Sequence, residues 1–309
     1  LDGYFHEALS HCTLCPHECG ADRRAGRKGF CLAGDRLQIY RYGGHHGEEP
    51  PISGSEGSGT VFFSRCTLRC IYCQNYPWSQ EGEGNICEVD DLVAIFRDLK
   101  QASCHNINLV SPTPWLPMIV EAVNSVRALG VHLPVVYNTS GYERAETLCR
   151  IEDLVDVYLT DLRYADSRSA LEGSGAADYT AAARAAIREM WRQKGSLVVD
   201  SEGTARKGVI VRILVLPGRE DEACASLEWL ADEFGPQVPV SVMSQYTPAY
   251  KARGMPGWTE PVSRKEYDRV VELFETLGFE HGWMQDPGNT PEELLGFNMK
   301  QEYEKETSQ

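Results

Sequence analysis

From about residue 60 the chain alternates short β-branched or apolar runs with longer segments of helical period. That alternation is the signature of parallel βα units, in which each crossover helix covers one face of a growing sheet. Six runs read as strands, at 60–64, 106–111, 133–137, 155–160, 208–216 and 238–243. Between the first two, Val89, Leu92, Val93, Phe96 and Leu99 recur at spacings of three and four, so one stripe of that helix is expected to face the sheet. Ser263 followed by Glu266 reads as a capping box ahead of Tyr267, Val270, Val271, Phe274 and Leu277. Six such units suit a parallel sheet curled into a partial or complete barrel, with functional groups gathered at the carboxyl ends of the strands. A chain of 309 residues with 42% hydrophobic content can bury one large core of that kind.

The ends of the chain break the pattern. Residues 1–50 are rich in Cys, His, Arg and Gly with little periodicity and read as a metal-stapled extension. PPISGSEGSG, at 50–59, reads as a flexible connector into the first strand. The expected division is therefore an extension at 1–50, a barrel core at 51–286 and a tail at 287–309. The formal charge of −15 sets the surface against phosphate backbones, so nucleic acid is not expected as a partner. No window approaches the roughly 18 consecutive apolar residues of a membrane span, and LDGYFHEALSHC lacks the apolar core of a signal peptide. A cytoplasmic protein with no membrane partner is expected.

Seven of the eleven cysteines fall in two tight clusters, which in a non-secreted chain favours metal over disulfides. The others, Cys87, Cys104, Cys149 and Cys224, are scattered singly and read as small packing residues. Directly after the first strand comes Cys66-Thr-Leu-Arg-Cys70-Ile-Tyr-Cys73. Three thiolates hold three irons of a cubane and leave the fourth open to a substrate or cofactor. A closed cluster or a zinc ion needs a fourth ligand, for which Cys87 is the local candidate. The amino-terminal set, Cys12-x2-Cys15-x3-Cys19-x11-Cys31, has the ligand count for a second centre, zinc or an auxiliary cluster, between which spacing does not choose. His11, His17, His45 and His46 read as solvated loop residues beside it, and Glu48 with Glu49 as a solvated face.

The CxxxCxφC spacing, with Tyr72 just before the third cysteine, resembles that of the radical S-adenosylmethionine superfamily. Within it the flanks FFSRCTLRCIYCQNY are most similar to relatives of the pyruvate formate-lyase activating enzymes, over about residues 10–285, and CxLCPxxC followed by GxC also occurs in those relatives. The resemblance implies a partial (β/α)6 barrel of the radical SAM type behind a Cys-rich extension. It implies a [4Fe–4S] cluster on Cys66, Cys70 and Cys73 whose open iron chelates the methionine amine and carboxylate of S-adenosylmethionine, with Tyr72 against the adenine. An electron, from a donor such as flavodoxin or ferredoxin, then breaks the sulfonium C–S bond to give methionine and a 5′-deoxyadenosyl radical that abstracts hydrogen.

The later strand ends match this family unevenly. Where it has a GGE-type segment for the methionine amine, this chain has Val110-Ser-Pro-Thr-Pro-Trp115, in which Ser111 and Thr113 offer oxygens and Pro114 also suits a helix entry. Asn138-Thr-Ser-Gly141 resembles a DTNG-like segment with Asn for Asp, and Asp161-Leu-Arg163 resembles DLK. By the family these place Asn138, Ser140, Asp161 and Arg163 at the methionine carboxylate, the ribose or a nearby cation, although Asn138 and Asp161 also suit turns or helix caps. The Asn removes the negative charge that would favour a bound alkali cation. The implied target is a glycine on a glycyl-radical enzyme, with a small molecule or peptide as the alternative. A non-catalytic iron–sulfur or zinc scaffold is the competing class, and it requires a coordinatively full centre.

Overall fold

A computed structural model describes residues 3–285, so the expected tail at 287–309 lies outside the described residues. The described strands are β1 (Leu37–His45), β2 (Ser58–Phe63), β3 (Asn85–Cys87), β4 (Ile107–Val110), β5 (Val135–Thr139), β6 (Val157–Asp161), β7 (Val198–Val199), β8 (Ala205–Leu214), β9 (Val240–Met243) and β10 (Gly282–Met284). They join in the order β10-β9-β8-β6-β5-β4-β2-β1-β3, with β7 pairing β8 off that path. Every pairing from β2 across to β10 is parallel, while β1 runs antiparallel to both β2 and β3. The six strands expected from the sequence are β2, β4, β5, β6, β8 and β9. The sheet is open, as in a partial barrel, and β10 extends its parallel run. β1, from the Cys-rich extension, and β3 add an antiparallel edge.

Period-two alternation gives this sheet two different faces. Val61, Leu109, Tyr137, Tyr158, Val211 and Val242 point into the large core shared with the helices. Val136, Val157, Leu159 and Ile210 point the other way, into a smaller apolar cluster. With both faces covered, the strands carry near-continuous apolar runs, as parallel strands do. The helix Val89–Gln101 buries Leu92, Ile95, Phe96 and Leu99, leaving Val89 and Val93 half-exposed at the stripe's edge. The helix Arg264–Leu277 starts at the expected capping box, Ser263 N donating to Glu266 Oε2 at 2.7 Å, and buries Tyr267, Val270 and Phe274. No helix among the described residues is long and apolar enough to cross a membrane.

Residues 50–59 are not a free connector. Pro50 and Pro51 open a short helix, Pro50–Ser53, that carries Ile52 into the inner apolar cluster beside Val136, Val157 and Leu159. Asn106 Nδ2 donates to the Ile52 carbonyl at 2.8 Å. Proline is pre-organised for a first helical turn, and burying one isoleucine is worth about 1.5–3 kcal/mol. A Gly/Ser-rich stretch with an apolar anchor thus becomes a plug, and it brings the preceding Glu48 and Glu49 to the inner face.

Candidate active site

The cysteine loop leaves β2 at Arg65, whose φ of 73° turns the chain sharply towards the inner face. It is then tied down residue by residue. Arg69 N donates to Ser174 O at 3.0 Å and Ile71 N to Gly173 O at 2.9 Å. Gly173 leaves room there for Tyr164, whose hydroxyl a Cβ would approach to 2.4 Å. Each thiol has a polar neighbour: Ser174 Oγ at 3.0 Å from Cys70 Sγ, Ser79 Oγ at 3.1 Å from Cys73 Sγ, and the Ser111 hydroxyl at Cys66. Burial pushes the Cys66 thiol up to about 11 and that of Cys73 to about 12. Such thiols become thiolates when a metal displaces the proton. Arg163 Nη1, 3.0 Å from Cys70 Sγ, supplies positive charge beside them.

Among the described residues no three His, Cys, Asp or Glu side chains converge as they would on a single ion. A cubane takes one thiolate per iron, and three thiols of one short loop are the donor set it needs to leave one iron open. Cys87, the candidate fourth ligand, lies instead on the edge strand β3, where its Sγ is 3.6 Å from Asn85 O. Cys104 and Cys224 are buried as packing residues, whereas Cys149 is exposed, 3.1 Å from Glu189 Oε1.

Beside the loop lies a cavity of about 190 Å³ lined in part by Tyr72, Cys73, Asp161, Arg163, Arg212 and Gln245. Tyr72 stacks on Trp258 with centroids 5.3 Å apart, and its hydroxyl meets that of Tyr164. Asp161 ends β6, and Gly141, at φ 81°, packs so closely under it that a Cβ would come within 2.2 Å of its carbonyl. Its carboxylate accepts from Arg163 Nε at 2.9 Å and Arg212 Nε at 2.7 Å. Burial alone would raise Asp161, but the Arg212 and Arg163 guanidiniums outweigh it and hold the carboxyl below its ordinary range. Asp161 therefore stays ionised, and Arg163 is held between it and the thiols. Replacing Arg163 with Ala should weaken S-adenosylmethionine binding while leaving iron content and cluster absorbance unchanged, which equilibrium dialysis of the reconstituted protein will show.

The remaining sequence candidates divide. Asn138 joins the network around Arg212, its Oδ1 accepting from Arg212 Nη2 at 2.7 Å. The Ser140 carbonyl accepts from Tyr179 OH at 2.8 Å. Thr113, in the helix-entry turn Thr113–Trp115 that Pro114 opens, turns away to donate to Glu143 Oε1 at 2.6 Å. Burial pushes Glu143 up to about 7, against hydrogen bonds from Thr113, Thr139 and Tyr137. Below the ordinary glutamate range the folded and unfolded chains both hold this proton and the associated stability is fully present. It is lost as pH rises through about 7, because the unfolded chain releases the proton first. Glu143→Gln should therefore flatten the decline and raise stability at pH 8 by up to about 3 kcal/mol, as read from urea midpoints across pH.

Two acidic residues expected on a solvated face are at the inner face instead. The Glu48 side chain is 10% exposed and Glu49 is 8% exposed. Glu48 Oε1 accepts from Asn108 Nδ2 and Asn138 Nδ2, each at 3.0 Å, and Oε2 from Arg212 Nη1 at 3.3 Å. The Ile52 plug carries these carboxylates inward. Arg212 was the legible signal: a lone charge within VIVRILVL, on a strand covered on both faces, requires a buried partner. At the amino terminus, Cys12 and Cys15 are buried, Cys31 is half-buried and Cys19 is exposed. His17, expected to be solvated, stacks on Phe30 at 3.8 Å.

An uncharacterised protein of Methanocaldococcus jannaschii, MJ0674, is 27% identical over 277 residues, covering 86% of this chain and 75% of that protein. Among solved structures, Streptococcus suis SuiB bound to its precursor peptide SuiA is 12% identical with a TM-score of 0.48, covering 72% of this chain. This chain spans about half of the SuiB chain, 46% of its length. A domain of a pyruvate-formate lyase-activating enzyme from Bacteroides vulgatus is 14% identical with a TM-score of 0.38, covering 55% of this chain and 89% of that one. Residues 60–230, more than half of the chain, match the family described as the radical SAM superfamily. That span runs from β2 through the cysteine loop and past Asp161, Arg163 and Arg212, and by it this chain belongs to the radical SAM superfamily, whose members take a [4Fe–4S] cluster and S-adenosylmethionine.

Proposed function

We propose that the protein is an enzyme that reductively cleaves S-adenosylmethionine. The carrying observation is that Cys66, Cys70 and Cys73 share one loop that borders a cavity walled by Asp161, Arg163 and Arg212. Three thiolates leave one iron of a cubane without a protein ligand. A [4Fe–4S] cluster held by Cys66, Cys70 and Cys73 would supply the single electron for reductive cleavage of the sulfonium C–S bond, from which methionine and a hydrogen-abstracting 5′-deoxyadenosyl radical would follow. Arg163 and Asp161 orient the cofactor's polar groups, and Tyr72, held by Trp258 and Tyr164, forms the wall for the adenine. A reduced flavodoxin- or ferredoxin-type carrier supplies the electron. Seven cysteines clustered at metal-ligand spacing support a reducing compartment such as the cytoplasm. Adding S-adenosylmethionine to the reduced, reconstituted protein should shift its electron paramagnetic resonance spectrum. An unchanged spectrum argues for a closed, scaffolding centre.

The hydrogen donor has two readings. The likeness of FFSRCTLRCIYCQNY to activating enzymes supports a glycine of a partner glycyl-radical enzyme. A second cavity of about 410 Å³, sharing Arg212, Met243 and Gln245 with the first and bordered by Glu48 and Glu49, supports a small polar molecule or peptide. Mixing the reduced enzyme, S-adenosylmethionine and a candidate glycyl-radical enzyme should give a glycyl-radical doublet under the first reading. Formation of 5′-deoxyadenosine with a silent spectrum removes it for that partner.

A further inference from the structure

We propose that Cys12, Cys15, Cys19 and Cys31 hold a second, anionic thiolate–metal centre that is charge-balanced by Arg23 and packed directly against the loop of Cys66, Cys70 and Cys73. The peptide Cys12–Ala21 closes on itself through Cys12 N to Ala21 O at 3.1 Å and Gly20 N to Cys12 O at 3.0 Å. Cys19 Sγ lies 4.0 Å from the Cys12 carbonyl. Gly29 passes so close to Cys19 that a Cβ would sit 2.2 Å from its sulfur, which brings the Gly29-Phe30-Cys31 segment to the same place. The four thiols lie within electrostatic reach of one another, and four thiolates are the ligand count of a structural zinc or an iron–sulfur cluster.

Arg23 is the independent observation. It is 2% exposed, donates to Gly34 O at 2.7 Å and Pro114 O at 2.6 Å, and lies 5.3 Å from the Trp115 ring centroid. Its Nη2 has no partner, and among the described residues no carboxylate pairs with it. A buried guanidinium without an anion is strongly unfavourable. Its charge reaches Cys12 and Cys31. Thiols leave it unbalanced, whereas metal-bound thiolates supply the missing negative charge.

The two cysteine loops are joined. His17, between Cys15 and Cys19, has Nε2 3.0 Å from Thr67 O, and Arg69 Nη2 donates to Phe30 O at 2.6 Å. Cys31 and Cys66 line the same crevice of about 60 Å³. The second centre therefore sits beside the first.

The test does not depend on S-adenosylmethionine cleavage. The full-length Cys66→Ala/Cys70→Ala/Cys73→Ala protein, purified without oxygen, is assayed for iron, sulfide and zinc. About four irons with sulfide, or about one zinc, should remain per chain. Iron with sulfide assigns an auxiliary cluster and zinc a single ion, and either supports the centre. Adding Cys12→Ala and Cys15→Ala should bring the metal to near zero. In the otherwise native chain, Arg23→Gln should speed loss of this metal to a chelator about tenfold, equivalent to about 1.4 kcal/mol, with Arg23→Lys restoring most of the retention. Circular dichroism separates metal loss from unfolding. A folded triple variant with neither metal, or an Arg23→Gln protein that keeps its metal as the wild type does, overturns the proposal.

Discussion

Replacing Cys66, Cys70 or Cys73 singly with Ala will bring 5′-deoxyadenosine formation down to the background of iron-free protein. Each thiolate anchors one iron, and two anchors do not hold a cubane with a single open site. The hydrogen-bonded neighbours should matter less. Ser79→Ala and Ser174→Ala remove a polar contact to Cys73 and Cys70, so those proteins should assemble the cluster and turn over more slowly. Cys87→Ala should leave cleavage unchanged, because its thiol sits on the edge strand β3. Chromatographic assay of 5′-deoxyadenosine across the six variants checks the ordering. Cleavage surviving in all three triplet variants would remove the assignment of the cluster to this loop.

Arg212→Met is the second large effect. The Arg212 side chain is 15% exposed and bridges Asp161, at 5%, to Glu48, at 10%. Removing one member of a buried ion network leaves the others uncompensated, at a loss of about 3–5 kcal/mol. Adding Glu48→Gln should recover part of this, since one stranded carboxylate is then gone. The Arg188–Glu233 pair, 51% and 31% exposed, is the control: Arg188→Ala should lose less than about 1 kcal/mol. Urea unfolding of the four proteins at neutral pH decides between an electrostatic keystone and a generic surface charge. A loss for Arg212→Met no larger than that for Arg188→Ala would contradict the keystone.

What the sequence shows of all this follows from how local each determinant is. The triplet is legible because its chemistry fits within eight residues, and the strands because alternation is read over a few residues. Asp161 and Arg163 are legible as a strand-end pair in one turn. Arg212 is legible as a lone charge that needs a buried partner, but its pairing with Glu48 is not, because 164 positions separate them and only the curl of the sheet, with Ile52 as plug, brings them together. Trp258 behind Tyr72 is hidden for the same reason. The antiparallel edge formed by β1 and β3 escapes because the extension carries no long alternating run. Thr113 shows a partner the sequence hides: in the helix-entry turn its hydroxyl donates to Glu143, 30 positions further on.

The central claim rests on one assay. The protein is reconstituted with iron and sulfide under anaerobic conditions, reduced with dithionite and given S-adenosylmethionine, and methionine and 5′-deoxyadenosine are quantified. The account predicts both products in equal amounts, dependent on iron and on reductant. A protein that carries a full [4Fe–4S] cluster yet releases neither product would contradict it.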